Sequence, residues 1–298
     1  MKNFLIWLVV LIVVAGGAYF IYKGMTAGPT QLEPLPSSPV ATTTDTQAAT
    51  DKHEEQIGTS TQGRAIMAYH FGEGDTELLF VGGIHGGYSW DTALVAYELM
   101  DYLAANPSAV PANERVTVIP VLNPDGLYKV VGTTGRFAAA DVTASAAVQA
   151  EGRFNANEVD LNRNFDCDWK TTAVWQNKTV SGGTAAFSEP ESKAMQSYVE
   201  TQKPDAVVVW YSAAGGVFAS NCHNGTLPET TALTKLYADA SGYKAYQSFD
   251  FYAVTGDMVN WLAKRGTPAI SVLLTTHGQV EWDKNRAGIK AVLQHYAQ

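Results

Sequence analysis

Three short segments carry side chains that could do chemistry. His85 stands in a glycine-flanked turn, Gly82-Gly83-Ile84-His85-Gly86-Gly87, where missing Cβ atoms let backbone and ligand approach closely. An imidazole there can serve as a metal ligand, or it can be a hydrogen-bonded structural group. Asp160-Leu161-Asn162-Arg163-Asn164-Phe165 sets a planar guanidinium beside a neutral amide, which suits a carboxylate; the alternative is a solvated turn. Cys167 and Cys222 are the only cysteines. In an exported domain such a sparse pair makes a disulfide closing a long loop, and otherwise two separate buried thiols.

The elements that must position these residues follow from hydropathy. Leu78 to Val81 is a continuous apolar run, the pattern of a strand covered on both faces, and it delivers His85 to its turn. Trp90, Leu94, Tyr97, Met100 and Leu103 then recur at helical spacing and predict an amphipathic helix, with Ser89 as its N-cap. Ahead of this unit, Ala65 to Phe71 alternates as a strand, and a tight Gly72-Glu73-Gly74-Asp75 link suggests a hairpin with the next strand. Val116 to Leu122 is a further strand, ended by a turn at Asn123-Pro124-Asp125-Gly126 at the sheet edge. An irregular alanine-rich insertion runs to Glu151. Ser188 and Glu191 form a capping box before a helix over Pro190 to Gln202. Ala206 to Tyr211 and Ala269 to Leu274 are buried strands; helices are expected around Leu233 to Ala240, over Asp257 to Arg265 and over Asn285 to His295. Strands alternating with helices predict an α/β fold, a mixed and largely parallel sheet sandwiched between helices.

Of the 298 residues, 46% are hydrophobic, enough for one sizeable core. A formal net charge of -9 excludes a phosphate-neutralising surface and hence a nucleic-acid partner. Phe4 to Tyr22 carries no charge and is flanked by Lys2 and Lys23; it is long enough to cross a bilayer and lacks the short core and small-residue cleavage site of a signal peptide. The expected organisation is therefore an N-terminal transmembrane anchor (residues 1–23), a disordered Pro/Thr/Ser-rich tether (24–55) and one extracytoplasmic domain (56–298). The flanking lysines are too symmetric to orient the anchor.

Five segments in this order, GIHGGYSW, NPDG, DLNRNF, WYS after a buried strand, and Tyr252 followed by Trp261, resemble the zinc metallocarboxypeptidases of the carboxypeptidase A type across the whole domain. The resemblance implies that Asn162 and Arg163 hold the C-terminal carboxylate of a peptide and that Tyr252 closes over it. It implies that Arg153, or Arg136 if the insertion shifts the alignment, stabilises the oxyanion of the scissile carbonyl, and that Asp160 orients the metal-binding His85. It also exposes departures. The family's zinc needs a glutamate before the tryptophan and a second histidine after the buried strand; Ser89 and Tyr211 stand there, leaving His85 as the single retained ligand. The general base belongs at the end of the last strand, where Leu273 or Leu274 stands, and Glu281 replaces it only if the following loop folds back.

The resemblance thus implies zinc as cofactor while the residues imply that it is lost or weakly held. The reading is a membrane-anchored pseudopeptidase that binds peptide or peptidoglycan-stem C-termini. Its rivals are an active zinc carboxypeptidase assembling an atypical site from His85, His277 or His223, and Glu281, and a structural interaction domain of the cell envelope.

Overall fold

The computed structural model describes residues 53–298. The anticipated anchor and nearly all of the anticipated tether lie outside the described residues. Among the described residues no helix is long and apolar enough to cross a membrane.

Among the described residues ten strands and seven α-helices follow one another. They are β1 Glu54–Thr59, β2 Ala65–Phe71, β3 Thr76–Val81, α1 Trp90–Ala105, β4 Glu114–Ile119, α2 Pro124–Val131, α3 Ala146–Glu151, β5 Thr172–Trp175 and β6 Lys178–Ser181, then α4 Pro190–Gln202, β7 Ala206–Ser212, β8 Gly216–Ala219, α5 Pro228–Ser241, β9 Lys244–Tyr246, α6 Met258–Lys264, β10 Ala269–Leu274 and α7 Trp282–Tyr296. Eight strands form one sheet in the order β1-β2-β4-β3-β7-β10-β8-β9, and β5-β6 stand apart as a hairpin. Pairs β3/β4, β3/β7, β7/β10 and β8/β9 are parallel, while β1/β2, β2/β4 and β8/β10 are antiparallel. The α/β fold with a mixed, mostly parallel sheet is as expected.

Strand periodicity splits the core into two layers. Leu78 and Phe80 of β3, Val208 and Trp210 of β7, and Val272 and Leu274 of β10 pack with α1, α5 and α7. Leu79 and Val81, Val207, Val209 and Tyr211, and Ala269 and Leu273 pack on the other face with α4 and α6. Both faces being covered, the central strands are apolar without a break.

Several local expectations change. β2 and β3 are not a hairpin: β4 lies between them, paired to both, because β4 follows β3 through the long crossover helix α1 and pairs with it in parallel. Asn123-Pro124-Asp125-Gly126 does not end a chain at a sheet edge. It opens α2, with Pro124 in the first turn and the Asn123 side chain accepting from the Gly126 amide at 2.9 Å, since a proline at a helix start gives up only an N–H that would be unpaired there. The insertion contains α2 and α3. No capping box forms at α4: Glu189 is its N-cap, and the Ser188 hydroxyl donates to Glu189 Oε1 at 2.8 Å instead. Ser89 is at the N-cap of α1 by position, yet its hydroxyl makes no cap bond. Cys167 and Cys222 are joined in a disulfide spanning 55 positions of sequence, which ties the segment after β8 to the one after Phe165.

Candidate active site

At the carboxyl ends of β3, β7 and β10 lies a cavity of about 660 Å³, the place where open α/β sheets bind ligands. His85, Tyr88, Arg153, Asn162, Arg163, Tyr211, Ser212, Tyr252, Leu273 and His277 all line it. His85 arrives there because β3 ends at Val81 and the chain turns tightly. Gly86 has φ +45, and a Cβ on it would come within 2.6 Å of the Gly152 carbonyl oxygen, so no other residue fits that step.

The residues expected to hold a carboxylate are well ordered by their bonds. Arg163 is buried at 1% exposure. Its Nε and Nη2 donate to the Val174 carbonyl at 3.0 and 2.9 Å, and its Nη1 to the Asn162 carbonyl at 2.6 Å. Those three bonds use three of five N–H donors, and among the described residues no carboxylate forms an ion pair with this guanidinium. Asn162 is fixed rather than free: its Nδ2 donates to Asp257 Oδ2 at 2.7 Å, and its Oδ1 accepts from the Met258 amide at 3.0 Å. Asp257, also N-cap of α6, was not singled out in the sequence, though an aspartate directly before a helical run is a usual capping signal. The Tyr252 ring lies 5.0 Å from Phe249 and 6.0 Å from the Arg163 guanidinium carbon, on a stretch between β9 and α6 without regular secondary structure.

Arg153 is tied to Asp160: Nε and Nη2 both reach Oδ2, each at 2.9 Å. Its guanidinium also lies 4.4 Å from the Trp175 ring and 5.6 Å from Tyr88, aromatic support that the sequence did not indicate. Arg136, the alternative oxyanion arginine, is instead on the surface, paired with Asp101 at 2.7 Å. Asp160 accepts from the Asn162 amide through Oδ1 at 3.1 Å. That oxygen is 3.8 Å from His85 Nε2, too far to orient the ring by a hydrogen bond.

At the metal positions the donors do not suit zinc. His85 is buried with both ring nitrogens unpartnered, and burial, then Arg153, Arg163 and His277, hold its pKa well below the usual 6.5. A neutral, unsatisfied imidazole is a competent ligand. Ser89 Oγ is likewise buried without a partner, but serine is a neutral and poor zinc donor. Tyr211 is worse: burial foremost, then Asp257, pushes its phenol well above 10, so it stays protonated at neutral pH. Its ring lies 5.4 Å from His85. Among the described residues no three His, Cys, Asp or Glu side chains come together as a metal site. One imidazole with a serine and a protonated phenol is not a zinc-binding set.

The base position resolves to Leu273. It shares the Tyr211 face of the sheet and lines the cavity, whereas Leu274 points into the opposite core layer. Glu281 does not fold back to replace it. Its carboxylate accepts from the Thr275 amide at 2.7 Å, Thr275 Oγ1 at 2.9 Å and the Tyr243 hydroxyl at 2.8 Å, and pairs with Lys284 at 2.6 Å; it is absent from the cavity wall. Those bonds, Lys284 first, lower its pKa despite some burial, the wrong direction for a base working near neutrality. His223 is also remote from the cavity, exposed and 3.0 Å from Asp168. His277 alone of these alternatives lines it, with Nδ1 3.0 Å from the hydroxyl of Ser212. Ser212 also donates to Asp91 Oδ1 at 3.0 Å, and burial pushes the Asp91 carboxyl up to about 7.

Residues 46–289 match the family model described as "Zinc carboxypeptidase". Among curated proteins, the human carboxypeptidase N catalytic chain is 28% identical over 57% of this chain and 37% of its own length. The gamma-D-glutamyl-L-diamino acid endopeptidase 1 of Lysinibacillus sphaericus is 26% identical over 66% of this chain and 54% of its own, so the chain spans about a third to a half of these relatives. Two solved structures share the fold. The murein-tripeptide amidase MpaA of Escherichia coli O157 has a TM-score of 0.56 at 20% identity, covering 83% of this chain and 93% of that one. The Helicoverpa armigera carboxypeptidase A has a TM-score of 0.62 at 18% identity, covering 82% and 66%.

Proposed function

The chain belongs to the zinc carboxypeptidase family, and from that premise we propose that its domain binds the free C-terminus of a peptide without hydrolysing it by the family's zinc-water route. The observation that carries this reading is Arg163, a buried cation on the cavity wall with donors to spare and no carboxylate partner among the described residues. Burying an unpaired cation costs several kcal/mol, roughly, unless a ligand supplies the counter-charge. A peptide carboxylate reaching the cavity can supply it through charge-assisted hydrogen bonds. Tyr252, 6.0 Å from the guanidinium, is the residue placed to cover such a ligand.

Loss of cleavage rests on three residues at three separate functions. Ser89 and Tyr211 replace ionisable or basic zinc donors, and Leu273 replaces a carboxylate base, while Glu281 is bonded elsewhere. The rival zinc site loses Glu281 and His223 on the same geometry. The names of two similar proteins support a ligand class: one is named for gamma-D-glutamyl-L-diamino acid and one fold neighbour for murein tripeptide, which favours peptidoglycan-stem peptides beside ordinary peptides. The uncharged run from Phe4 to Tyr22 supports a membrane-tethered, extracytoplasmic location; recovery of the full chain in the soluble fraction of its host would overturn that part.

The test of binding is calorimetry with matched peptides, including a stem peptide, carrying a free or an amidated C-terminus. Binding of the free forms alone is the expected result. Equal binding of both, or binding of neither, removes carboxylate recognition and leaves an interaction domain as the better account.

A further inference from the structure

β7 ends in two consecutive side chains on opposite faces of the sheet. Tyr211 faces the Arg163 side, and Ser212 faces the start of α1, where its hydroxyl donates to Asp91 Oδ1 at 3.0 Å. The same hydroxyl lies 3.0 Å from His277 Nδ1. The His277 ring is held in turn: it packs at a tilt against Tyr88, centroids 4.4 Å apart. The hydroxyl carries one proton and has two acceptors in reach, Asp91 Oδ1 and, in the tautomer protonated on Nε2, His277 Nδ1; the reactive arrangement is the one in which that proton turns from Asp91 to Nδ1. Ser212 and His277 both line the cavity, and carboxylate binding uses neither.

We propose that Ser212 is a nucleophile activated by His277, giving this cavity a metal-independent acyl-transfer chemistry toward esters and amides. A hydroxyl within hydrogen-bond reach of a fixed imidazole is the pairing such chemistry requires. A second observation comes from the far side of the β7 end. His85 is 5% exposed, lines the same cavity and has both ring nitrogens unpartnered; an imidazole in either protonation state has at least one N–H to offer a developing oxyanion. Arg153 also lines the cavity with N–H groups beyond those given to Asp160. Asp91, buried in the first turn of α1, holds the Ser212 hydroxyl at 3.0 Å and so limits its rotamer, which makes it a positioning residue.

The step balances without a cofactor. Ser212 Oγ bonds to the acyl carbon as its proton passes to His277 Nδ1, and the carbonyl π pair moves onto oxygen. The pair returns as the C–O or C–N bond breaks, and the departing alcohol or amine takes the proton from His277. Water then attacks the acyl-serine, gives its proton to His277, and the Ser212 C–O bond breaks with that proton returned to Oγ.

The test uses the full chain in excess chelator with a fluorophosphonate probe, followed by peptide mapping, and p-nitrophenyl acetate as acyl donor. One adduct on Ser212 is expected, with a labelling rate about 100-fold lower in His277→Gln and no adduct in Ser212→Ala. No adduct on the folded chain, an adduct on another residue, or equal rates in His277→Gln would overturn the proposal. Should Ser212→Ala misfold, His277→Gln, at a half-buried position, decides alone. Neither probe carries a carboxylate, so failure here leaves the peptide C-terminus reading standing, and failure of peptide binding leaves this one standing.

Discussion

The two sides of the cavity have had opposite fates. On one, Arg163 and Asn162 are held by a web of bonds: two backbone carbonyls hold the guanidinium, and Asp257, the Met258 amide and the Tyr211 hydroxyl hold the Asn162 side chain. On the other, the side-chain polar atoms of His85 and Ser89 have no hydrogen-bond partner among the described residues. A buried charge kept and hydrogen-bonded implies a ligand, since replacing it by an apolar side chain would be neutral or stabilising. On the proposed reading, the unpartnered side-chain atoms of His85 and Ser89 are what a metal site leaves when its charged donors are replaced. Removing the glutamate and the base from such a site also removes unpaired carboxylates from a dry cavity, so these losses relieve strain that the metal would have offset.

The largest test of this contrast is to rebuild the dismantled side. Ser89→Glu, Tyr211→His and Leu273→Glu together should change zinc content in purified protein from sub-stoichiometric to one ion per chain, an affinity gain of several orders of magnitude. Stoichiometric zinc in the unaltered chain would end the contrast. On the intact side, Arg163→Ala should cost roughly 2 to 5 kcal/mol of peptide binding, an affinity loss of about 30-fold or more, by calorimetry. Arg163→Lys should restore part of it, because a point charge replaces a planar fork. Removing the disulfide with Cys167→Ala and Cys222→Ala should lower stability by about 2 to 4 kcal/mol in urea unfolding, with the stretch carrying Tyr252 losing a nearby tie.

Away from the cavity, Glu114 is buried with both carboxylate oxygens unpartnered, and burial raises its pKa to about 7. A folded-state value above the unfolded one of 4.5 means this group's contribution is fully present below about pH 4.5 and is lost as pH rises through about 7. Glu114→Gln should therefore stabilise the chain at pH 8 more than at pH 5, by of order 1 kcal/mol after discounting for solvent screening. Smallest of all, Arg136→Ala should move stability by less than about 0.5 kcal/mol and leave peptide binding unchanged, since its partner Asp101 is as exposed as itself. A binding defect there would return Arg136 to the site.

How far the fold could be read varied with the kind of signal. Both Ala65–Phe71 and Ala269–Leu274 were legible to the residue, the first by its alternation and the second as a buried, largely apolar run with sharp ends. The pairing of β2 with β4 was not legible, because adjacency in a sheet is decided by a crossover helix and not by the turn chemistry at Gly72 to Asp75. At the site, His85, Asn162, Arg163 and Tyr252 were found by motif. Asp257, Trp175 and Asp91 were not singled out there, and His277 was named only as a rival metal ligand and not as a partner of Ser212, since each acts by meeting a residue far away in sequence.

Local chemistry determined by the sequence alone includes the missing glutamate at Ser89, the missing histidine at Tyr211, and a strand end that is aliphatic whichever leucine is taken. Those are identities, and no folding can turn serine or leucine into a carboxylate. Only the tertiary structure decided that Leu273 and not Leu274 faces the cavity, because side chains alternate along a strand and the register is set by packing on both layers. It also decided that Glu281 is bound by Thr275, Tyr243 and Lys284, and that Cys167 and Cys222 meet. Finally it brought Ser212 within reach of His277, a contact across 65 positions of sequence that exists because β7 and the loop after β10 end side by side in a parallel pair.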